Sequence, residues 1–582
     1  MNPKTDSLRG LDRGARAVID TVRYSPAVRD GGGARPIGAN ICAGVVRYLS
    51  LDDNGAEGET LAREIAADAR ALLALQNPDG TIDGSNIRTP PDTGFVMETV
   101  GAALVALREI GGTKIPAGAL SDAVAAADEF MRRAASALVT GGVHTPNHRW
   151  VVCSALAFAY RLHRRPEYLA RIDQWLSEGI DIDEDGQYSE RSAGIYSAVS
   201  SAALVNVALL LGRDELLEPV RRNLEATLML VQPDGRIDTT ASRRQDQYDT
   251  TLEWFNYYVP FRVLAAVDGN PRFAAAVRFL ERHSGDRNAP LAGHAIAFFA
   301  FPEMRIALNG DGVSAIPTDF AVVLTEAGLY RERRGQTAVT VFGGHDRWPD
   351  GQVTPEASGR AGNPSFLTVC TGSASIRWVR IVPRFFNVGY LRFGMVSADE
   401  GLCRLEAARE VGYFQPLPPQ KRRDDGRYEL TTGDGRFWSA TDLPERERSN
   451  VQSVGLSIAI RTTGSKCEVA FDGRSSTSVA LCVEIAVDPE SVIELERWNA
   501  APRRARVGNG ASRIDITLDA QRSDPWIPAE RDYGDQDRTR RAMEREKHQR
   551  SLRVIHGSFL VPGTATLTLG GWSEPREPGN GA

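Results

Sequence analysis

The chain has 582 residues, of which 42% are hydrophobic and 25% are charged, a composition typical of folded proteins with a large core. This composition excludes disordered, collagen-like and disulfide-stapled classes. The 69 basic and 75 acidic residues give a net charge of −6. Because no net positive charge attracts a polyanion, the composition argues against nucleic-acid and membrane-surface partners.

The sequence shows no targeting or membrane signal. Its first residues lack the apolar segment of a signal peptide, and no run approaches ~18 consecutive apolar residues. The six cysteines are scattered without metal-finger spacing, which indicates reduced, buried side chains. We therefore predict a cytoplasmic protein that does not span a membrane, with its oligomeric state left open.

The hydrophobic pattern changes near residue 310. Before it, segments such as GETLAREIAADARALLALQ have apolar residues at helical spacing, and after it short alternating runs such as SVALCVEIAV are typical of strands. Helices followed by strands predict a multidomain α + β protein. We expect a helical domain over residues 1–310, an antiparallel β-sandwich over 311–572 and a flexible tail over 573–582.

The helical half contains an imperfect repeat. LALQNPDGTID at 73–83 returns as LMLVQPDGRID at 228–238, and IDEDGQYSE begins at Ile182. Each copy has an Asp-Gly turn after a helix and before a polar loop, which predicts repeated helical hairpins. We favour a closed (α/α) toroid, whose polar loops gather around one cleft, over an open solenoid.

The most informative loop is GGVHTPNHRWVV. Pro146 disfavours a helical conformation at Thr145, so the helix should begin near Asn147. The positive end of a helix suits a carboxylate ligand, and Asn147, His148 and Arg149 could bind and neutralise an acid group there. In the alternative interpretation, Asn147 is only an N-cap and His148 a structural polar residue.

Three other polar loops precede helices and mix amide, guanidinium and hydroxyl groups, which suit recognition of a sugar acid. A phenol titrates near ~10, so Tyr196 needs cationic neighbours to act as a base but none to act as an acid. It could equally be an ordinary amphipathic tyrosine. Four aromatic residues nearby could stack on sugars or belong to the core. The candidate binding residues are Asn86, Arg88, Tyr188, Glu190, Arg191, Arg244, Gln247 and Tyr248, and the aromatic residues are Trp150, Trp254, Tyr257 and Tyr258.

His345 is the candidate functional residue of the β half. It follows a strand and a Gly-Gly turn in TVFGGHDRWPDG, where a loop could close over a cleft, although a loop histidine is often structural. The acidic stretch DIDED, from Asp181 to Asp185, lacks EF-hand spacing and is interpreted as a solvated turn rather than a metal site.

Two paired motifs resemble a known family. TPNHRW, followed some forty residues later by DG-x-Y-x-E-R-S-x-x-x-Y-S, resembles the heparinase II/III-type polysaccharide lyases, including oligoalginate lyases. SNIRTPPDTGFV is similar to a substrate loop of that group. The resemblance implies an (α/α) toroid followed by a β-sandwich, with Asn147, His148 and Tyr196 as catalytic residues. The family also uses a residue from its β domain, for which His345 is the candidate, although the sequence around it departs from the usual His-rich pattern.

The resemblance implies β-elimination at a uronic acid in a poly- or oligosaccharide. His148 or Tyr196 would take the C5 proton, Tyr196 would protonate the departing O4 oxygen, and Asn147, with Arg149 or His148, would neutralise the carboxylate. The product carries a C4=C5 double bond. No cofactor is required, and a structural divalent metal is possible. The sequence leaves the glycan and endo or exo attack open.

Two alternatives to a lyase remain. The first is a toroidal glycoside hydrolase that acts on unsaturated uronides through carboxylates such as Asp79, Asp185 or Glu190. The second is a carbohydrate-binding protein without catalytic activity.

Overall fold

The structure is a computed structural model that describes residues 11–52, 55–111, 118–248, 251–284, 291–309, 316–347, 358–499, 502–535, 537–538 and 552–573. It forms two compact units. The helical unit runs to Met229 and resumes over Trp254–Ile316, and the sheet unit contains Leu230–Glu253 and the chain from Pro317 onward. The segment Leu230–Glu253 therefore groups with the sheets, whereas the sequence analysis assigned all of residues 1–310 to the helical domain.

The helices of the helical unit form two alternating sets. In the first set most positions are buried and successive members pack against one another: Ala34–Ser50, Pro90–Gly111, Pro146–His163 and Tyr196–Leu211. In the second set, Ala56–Ala74 and Ala119–Thr140 each bury one stripe and pack against each other. The helices are α1 (Arg13–Asp20), α2 (Val28–Gly31), α3 (Ala34–Ser50), α4 (Ala56–Ala74), α5 (Pro90–Gly111), α6 (Ala119–Thr140), α7 (Pro146–His163), α8 (Pro166–Leu176), α9 (Tyr196–Leu211), α10 (Leu217–Leu230), α11 (Tyr258–Asp268), α12 (Pro271–Ser284) and α13 (Ala297–Ala300).

Helices α3 and α5 run in the same direction. Near their N-termini, Arg35 forms an ion pair with Asp92. Seven residues further along each helix, the Cys42 thiol donates a hydrogen bond to the Thr99 carbonyl oxygen at 2.9 Å. Equal spacing between the two contacts requires parallel helices whose N-termini lie at the same end.

Helices α5 and α7 are also parallel and approach closely. A Cβ added at Gly94 would lie 3.2 Å from the Val151 side chain, and one added at Gly101 would lie 2.6 Å from Phe158. Both contacts advance by seven residues along each helix. The two glycines therefore let the helices meet at a distance that a larger side chain at Gly101 would prevent.

A polar cluster joins α5, α7 and α9 within this apolar packing. Asn206 Nδ2 donates to Ser154 Oγ at 3.1 Å, and both residues hydrogen-bond to the Glu98 carboxyl group. Burial raises the pKa of Glu98 to about 8, although these hydrogen bonds and the charge of Arg35 act to lower it. Glu98 is therefore largely a neutral acid at pH 7.

The three repeated Asp-Gly segments form the same turn, as their sequences predicted. Gly80, Gly186 and Gly235 adopt φ of 90°, 75° and 86°, which favours glycine. A Cβ at Gly186 would lie 2.7 Å from the Arg222 carbonyl oxygen, so the turn fits closely against α10. In each turn the glycine N–H donates, at 2.9–3.1 Å, to a carbonyl three residues earlier, at Asn77, Asp183 and Gln232.

The sheet unit contains two eight-stranded sheets in which every described ladder is antiparallel. A mixed fold of helices and antiparallel sheets is thus confirmed. One sheet has the order β15 (Val492–Arg497), β16 (Arg503–Asn509), β17 (Ser512–Ala520), β20 (Gly563–Ser573), β13 (Lys466–Ser475), β12 (Arg448–Thr463), β9 (Leu402–Phe414) and β8 (Gly394–Asp399). The other has the order β18 (Ser523–Asp524), β19 (Arg553–Val561), β14 (Val479–Val487), β7 (Ala374–Pro383), β6 (Leu367–Thr371), β5 (Thr337–Phe342), β4 (Leu329–Arg334) and β3 (Asp319–Leu324).

Both sheets contribute to one hydrophobic core. Phe471 on β13 contacts Phe366, which precedes β6, with ring centroids 6.4 Å apart, and Phe559 on β19 at 5.6 Å. Two short ribbons complete the set of strands: β1 (Ile237–Asp238) with β2 (Thr251–Leu252), and β10 (Thr431–Thr432) with β11 (Trp438–Ser439).

A buried polar network holds the segment Leu230–Glu253 to the sheet unit. Asp238 Oδ2 accepts hydrogen bonds from Gln232 Nε2 at 2.9 Å, Thr340 Oγ1 at 2.8 Å and Thr368 Oγ1 at 3.2 Å. The fully buried Arg331 lies 3.7 Å from the same carboxylate and donates to Thr340 at 2.6 Å. Because a buried charge needs its partners, these contacts tie the segment to the β4–β6 strands.

Two sequence expectations concern chain ends and membranes. The predicted tail lies, apart from Ser573, outside the described residues. Among the helices of the described ranges, none combines the length and the apolar character that crossing a bilayer would require.

The Glu98 cluster generates a testable pH dependence. The folded chain keeps the Glu98 proton up to about pH 8, whereas the ordinary pKa is 4.5. Its stabilising effect is complete below pH 4.5 and is lost as the pH rises toward 8, by at most about 1.4 kcal/mol per pH unit. We expect the thermal-unfolding midpoint of the wild type to fall, relative to that of Glu98→Gln, between pH 5 and pH 8.

Glu57→Gln on α4 is the matched control, because the Glu57 side chain is 72% exposed. It should show the same pH dependence as the wild type. Parallel pH profiles for Glu98→Gln and the wild type would contradict the assignment of a protonated carboxyl group.

Candidate active site

The N-terminus of α7 forms the centre of the candidate site. The helix begins at Pro146, and Thr145 before it is extended, with φ −140° and ψ 152°. Pro146 explains this geometry, because its ring disfavours a helical preceding residue. Asn147 is the second residue of the helix rather than its cap, so its side chain is available for contacts outside the helix.

The Glu190 carboxylate occupies this helix N-terminus. Its Oε2 accepts the Asn147 backbone N–H at 3.1 Å and the Asn147 Nδ2 at 2.7 Å. Glu190 is only 5% exposed, so these charge-assisted bonds replace lost hydration. The sequence analysis predicted that a carboxylate of the ligand would bind at this position. The structure instead fills it with a carboxylate of the protein and thereby links the α7 loop to the loop before α9.

The two sides of the Asn147 amide have different environments. Its Nδ2 also donates to Thr145 Oγ1 at 3.2 Å. Its Oδ1 is buried and accepts no hydrogen bond from the described part of the chain. The Asn147 Nδ2 is thus engaged as a hydrogen-bond donor, whereas Oδ1 is not engaged as an acceptor by any described residue.

Arg149 points toward carboxylates of the helical unit. Its guanidinium pairs with Glu178 at 2.9 Å and Asp181 at 3.0 Å, and it stacks 4.6 Å from the ring centroid of Trp150. Asp181 also accepts the Trp150 indole N–H at 3.0 Å. Arg149 therefore has a structural role here, which weakens its predicted role in neutralising a substrate acid.

His148 lies in a row of aromatic rings that reaches an arginine. Its ring meets that of His144 edge to face at a centroid distance of 4.7 Å, and that of Phe95 at 6.1 Å. The Arg35 guanidinium lies 4.3 Å above the Phe95 centroid. His148 is partly exposed and His144 exposed. The sequence analysis missed Arg35, Phe95 and His144. The four-residue spacing of HTPNH was a signal for His144, but nothing local pointed to Arg35.

Tyr196 is the first residue of α9, at the same end as the α7 loop. Its backbone N–H donates to Ser192 Oγ at 3.0 Å, and its side chain is partly exposed. Two contacts fix the relative direction and height of α7 and α9: Asn147–Glu190 near the start of both helices and Ser154–Asn206 midway along them. Asn147 precedes Ser154 by seven residues, or about 10 Å, and Tyr196 precedes Asn206 by ten residues, or about 15 Å, at 1.5 Å per residue. Both side chains thus start at the N-terminal end of packed helices.

Two other predicted residues of the Tyr196 loop are buried. The Tyr188 hydroxyl lies 3.2 Å from Ser201 Oγ, and burial raises its pKa. Tyr188 belongs to the core, and the predicted substrate contact is corrected accordingly. Arg191 is 9% exposed and has φ 48°, so it helps to shape the turn that carries Glu190.

The loop before α5 is exposed. Asn86 and Arg88 both face solvent, and Arg88 has φ 45° with its N–H donating to Asp83 Oδ1 at 2.7 Å. Ser85 Oγ donates to Asp92 Oδ2 at 2.8 Å, which anchors the loop to α5. Asn86 and Arg88 therefore remain candidates for binding substrate.

In the sheet unit, the predicted residue Gln247 supports the backbone. Its Nε2 donates to the carbonyl oxygens of Arg244 and Arg360 at 3.0 Å each, and its Oε1 accepts the Gly362 N–H at 3.2 Å. Gln247 is fully buried, so its predicted substrate contact is corrected. Arg244 is buried too, while Tyr248 is partly exposed.

His345 is a structural residue of the sheet unit. It is 8% exposed, and its ring nitrogens lie 2.8 Å from the Phe393 carbonyl oxygen and 2.7 Å from that of Asn363. Burial and the charge of Arg392 lower its pKa to about 4, against the two carbonyl oxygens, which favour a protonated ring. With both nitrogens engaged, His345 joins three backbone segments, and its predicted catalytic role is corrected on this ground.

The four aromatic residues considered as stacking surfaces belong to the core. Each is at most 1% exposed: Trp150, Trp254, Tyr257 and Tyr258. The acidic stretch DIDED likewise forms a local turn, since Asp183 Oδ1 accepts the Gln187 N–H at 2.8 Å. Within the ranges that the structure describes, no three His, Cys, Asp or Glu side chains are grouped as a metal site requires.

Comparisons with known proteins relate the chain to others by fold. No protein-family model matches the sequence. No curated protein sequence is significantly similar to it. Among solved structures, it is similar to the chondroitin AC lyase of Streptomyces coelicolor A3 in complex with chondroitin sulphate, with 13% identity, a TM-score of 0.52 and coverage of 98% of this chain and 79% of that one.

Two further structures extend this comparison. A Paenibacillus xanthan lyase has 9% identity and a TM-score of 0.50 over 96% of this chain and 56% of its own. The heparan sulfate lyase HepC from Pedobacter heparinus has 12% identity and a TM-score of 0.47 over 99% and 85%. The likeness to polysaccharide lyases that the sequence motifs implied is thus confirmed at the level of the fold, by the chondroitin AC and xanthan lyases.

The Glu190–Asn147 contact generates a prediction about stability. Glu190→Ala removes the acceptor of two buried donors, and leaving such donors unpaired costs about 2 to 3 kcal/mol in the free energy of unfolding. Glu190→Gln keeps an acceptor oxygen and should lose about half as much. Urea unfolding of the three proteins measures the difference.

Glu178→Ala is the control, because Glu178 pairs with Arg149 at a side chain that is 47% exposed. Such a pair contributes at most about 1 kcal/mol. Equal losses for Glu178→Ala and Glu190→Ala would show that the Glu190 contact is no stronger than a surface ion pair.

Proposed function

We propose that the protein is a polysaccharide or oligosaccharide lyase that cleaves the glycosidic bond to a uronic acid by β-elimination. In this proposal the helical unit is an (α/α) toroid of the heparinase II/III type and the sheet unit a β-sandwich. The substrate is a uronate-containing glycan, and the reaction requires no redox cofactor.

One observation carries the proposal. Asn147 and Glu190, 43 residues apart, meet in a buried contact, which ties the loop carrying His148 to the loop carrying Tyr196. These are the two loops whose motifs resemble the lyase family. The partly exposed His148 and Tyr196 begin neighbouring helices at one end, an arrangement that suits two proton transfers on a single sugar ring.

The proposed reaction has two proton transfers and breaks two bonds, C5–H and C4–O4. A base, His148 or Tyr196, takes the C5 proton, and the electron pair of that C–H bond forms the C4=C5 double bond. The C4–O4 bond breaks, and O4 takes a proton from Tyr196 acting as an acid. A phenol is a competent acid in its ordinary neutral form, and an imidazole with a pKa near ~6.5 is a competent base at neutral pH.

Asn147 contributes differently from the sequence prediction in this proposal. Its N–H donors already serve Glu190, so it is a positioning residue that holds the start of α7. The developing negative charge at the sugar carboxylate then needs a further cation. The partly exposed His148, when protonated, and the exposed Asn86 and Arg88 remain candidates for contacts with the glycan.

The hydrolase alternative receives less support. An inverting or retaining hydrolase needs two carboxyl groups that flank one bond. Asp79 is bound within its own turn by Thr81, with Oδ1 accepting the backbone N–H at 3.0 Å and the hydroxyl at 2.6 Å. Glu190 is committed to Asn147. Glu190 is buried, and the hydrogen bonds from Thr81 lower the pKa of the exposed Asp79. Neither carboxyl group is therefore suited to donate a proton as a general acid.

The first functional prediction concerns the product. Incubation of the purified protein with a panel of uronate polymers should produce ultraviolet absorbance from the C4=C5 double bond conjugated to the carboxylate. Each cleavage should also release one reducing end. Reducing ends without absorbance would indicate hydrolysis and refute the lyase proposal, whereas neither signal would favour a carbohydrate-binding protein.

The second functional prediction concerns the proton-transferring groups. Tyr196→Phe and His148→Ala should each lower kcat by ~10²–10⁴-fold, the usual contribution of one positioned proton transfer, with unchanged thermal unfolding. Tyr160→Phe and His283→Ala, at the far end of α7 and on the exposed face of α12, are the matched controls and should retain full activity. Retained activity in Tyr196→Phe or His148→Ala would refute the assigned role.

A further inference from the structure

Arg35 lies beside the candidate catalytic residues although no sequence motif includes it. It is the second residue of α3, and its guanidinium Nη2 forms an ion pair with Asp92 on α5. The Arg35 side chain is 48% exposed, while that of Asp92 is 4% exposed. The arginine is therefore fixed at one end by a buried carboxylate and presents the rest of its surface to solvent.

The Phe95 ring packs against this guanidinium. Arg35 stacks 4.3 Å from the Phe95 centroid, and the His148 ring meets the same phenyl ring edge to face at 6.1 Å. The Phe95 ring therefore contacts both the Arg35 guanidinium and the ring of His148, the proposed base. Stacking also limits rotation of the guanidinium, so less entropy is lost when it binds a ligand.

Two of the three groups predicted to neutralise an acid, Asn147 and Arg149, are engaged. The donors of Asn147 serve Glu190, and Arg149 is paired with Glu178 and Asp181. A guanidinium has five N–H donors, and the pair with Asp92 engages one of those on Nη2. Arg35 can therefore still offer donors in the geometry that a planar carboxylate accepts.

The surrounding helices favour a negative ligand at this point. Helices α3, α5, α7 and α9 have their N-termini at the same end, because each neighbouring pair makes two contacts in the same order along both helices. These pairs of contacts are Arg35–Asp92 with Cys42–Thr99, Gly94–Val151 with Gly101–Phe158, and Asn147–Glu190 with Ser154–Asn206. Each N-terminus carries a partial positive charge. Asp92 and Glu190 offset part of this field, and Arg35 adds a full charge to it.

We propose that Arg35 is the residue that binds the carboxylate of the uronic acid, with Asp92 and Phe95 as its positioning residues. This inference rests on the proposed function for the identity of the substrate. It assigns the acid-binding role to a side chain about 110 residues before the motif that was expected to perform it. In the reaction, Arg35 would neutralise the enolate-like charge that forms as the C5 proton leaves.

The test compares Arg35→Gln with the wild type on acidic and neutral forms of the same oligosaccharide. The probes are hexasaccharides of alginate, chondroitin and heparosan, each with its carboxyl-reduced, uncharged counterpart, and calorimetry measures their binding. For the acidic hexasaccharide that binds the wild type best, we expect Arg35→Gln to weaken binding at least tenfold. The reduced counterpart should bind both proteins equally.

Two additional variants make the test specific. Arg35→Lys keeps the charge and the pair with Asp92 but loses the planar donor pair, so its loss should be smaller; it also serves if Arg35→Gln fails to fold. Arg47→Gln, at the other end of α3 with a side chain that is 43% exposed, should bind like the wild type. Unchanged binding of the acidic probe to Arg35→Gln, or an equal loss in Arg47→Gln, would overturn the inference.

The outcomes separate this inference from the proposed function. Arg35-dependent binding without formation of the C4=C5 double bond would refute the lyase proposal and support the carboxylate site. Formation of the double bond with equal kcat/KM in Arg35→Gln and the wild type would support the lyase and overturn the site. Absence of binding and turnover with every acidic probe would refute both.

Discussion

The candidate site depends on one carboxylate at one helix N-terminus. The Glu190 carboxylate accepts hydrogen bonds from both the backbone N–H and the side-chain amide of Asn147. It thereby pairs, in a buried position, an N–H group of the kind that the first turn of a helix leaves without a partner. This contact fixes the start of α7 and joins it to the loop that leads to Tyr196. It also means that the protein supplies its own anion at this point, so the charge of an acidic ligand has to be balanced by another residue.

The parallel packing of α3, α5, α7 and α9 places this contact beside the candidate catalytic residues. Because Gly94 and Gly101 allow α5 and α7 to approach closely, the two helices keep a fixed register over about two turns. The Glu98, Ser154 and Asn206 cluster adds a directional constraint, since each group has to face the others to be satisfied. Residues that begin these helices, among them Arg35, His148 and Tyr196, are thereby presented at one end without belonging to one stretch of sequence.

Local features of the molecule could be predicted from the sequence, and contacts between distant segments could not. The hydrophobic periodicity predicted the change from helices to strands. The Asp-Gly pairs predicted the turns at Gly80, Gly186 and Gly235, and Pro146 predicted the start of α7. The sequence could not distinguish Tyr188 from Tyr196, because burial depends on which face of the loop meets the core. It could not exclude His345 either, since both ring nitrogens are engaged by carbonyl groups of other backbone segments. Arg35 was missed because only packing brings α3 beside α5.

The assignment of Leu230–Glu253 to the sheet unit has a consequence for how the chain can be divided. The helical unit is interrupted in sequence, and the interruption carries a carboxylate, Asp238, whose partners Thr340, Thr368 and Arg331 are synthesised a hundred residues later. A shortened chain that ends at residue 310 would retain this segment without the strands that satisfy it. During synthesis on the ribosome, Asp238 can pair at once with Gln232 and Thr240 of its own segment, but its other partners become available only when β4 to β6 emerge, so this segment reaches its final contacts late.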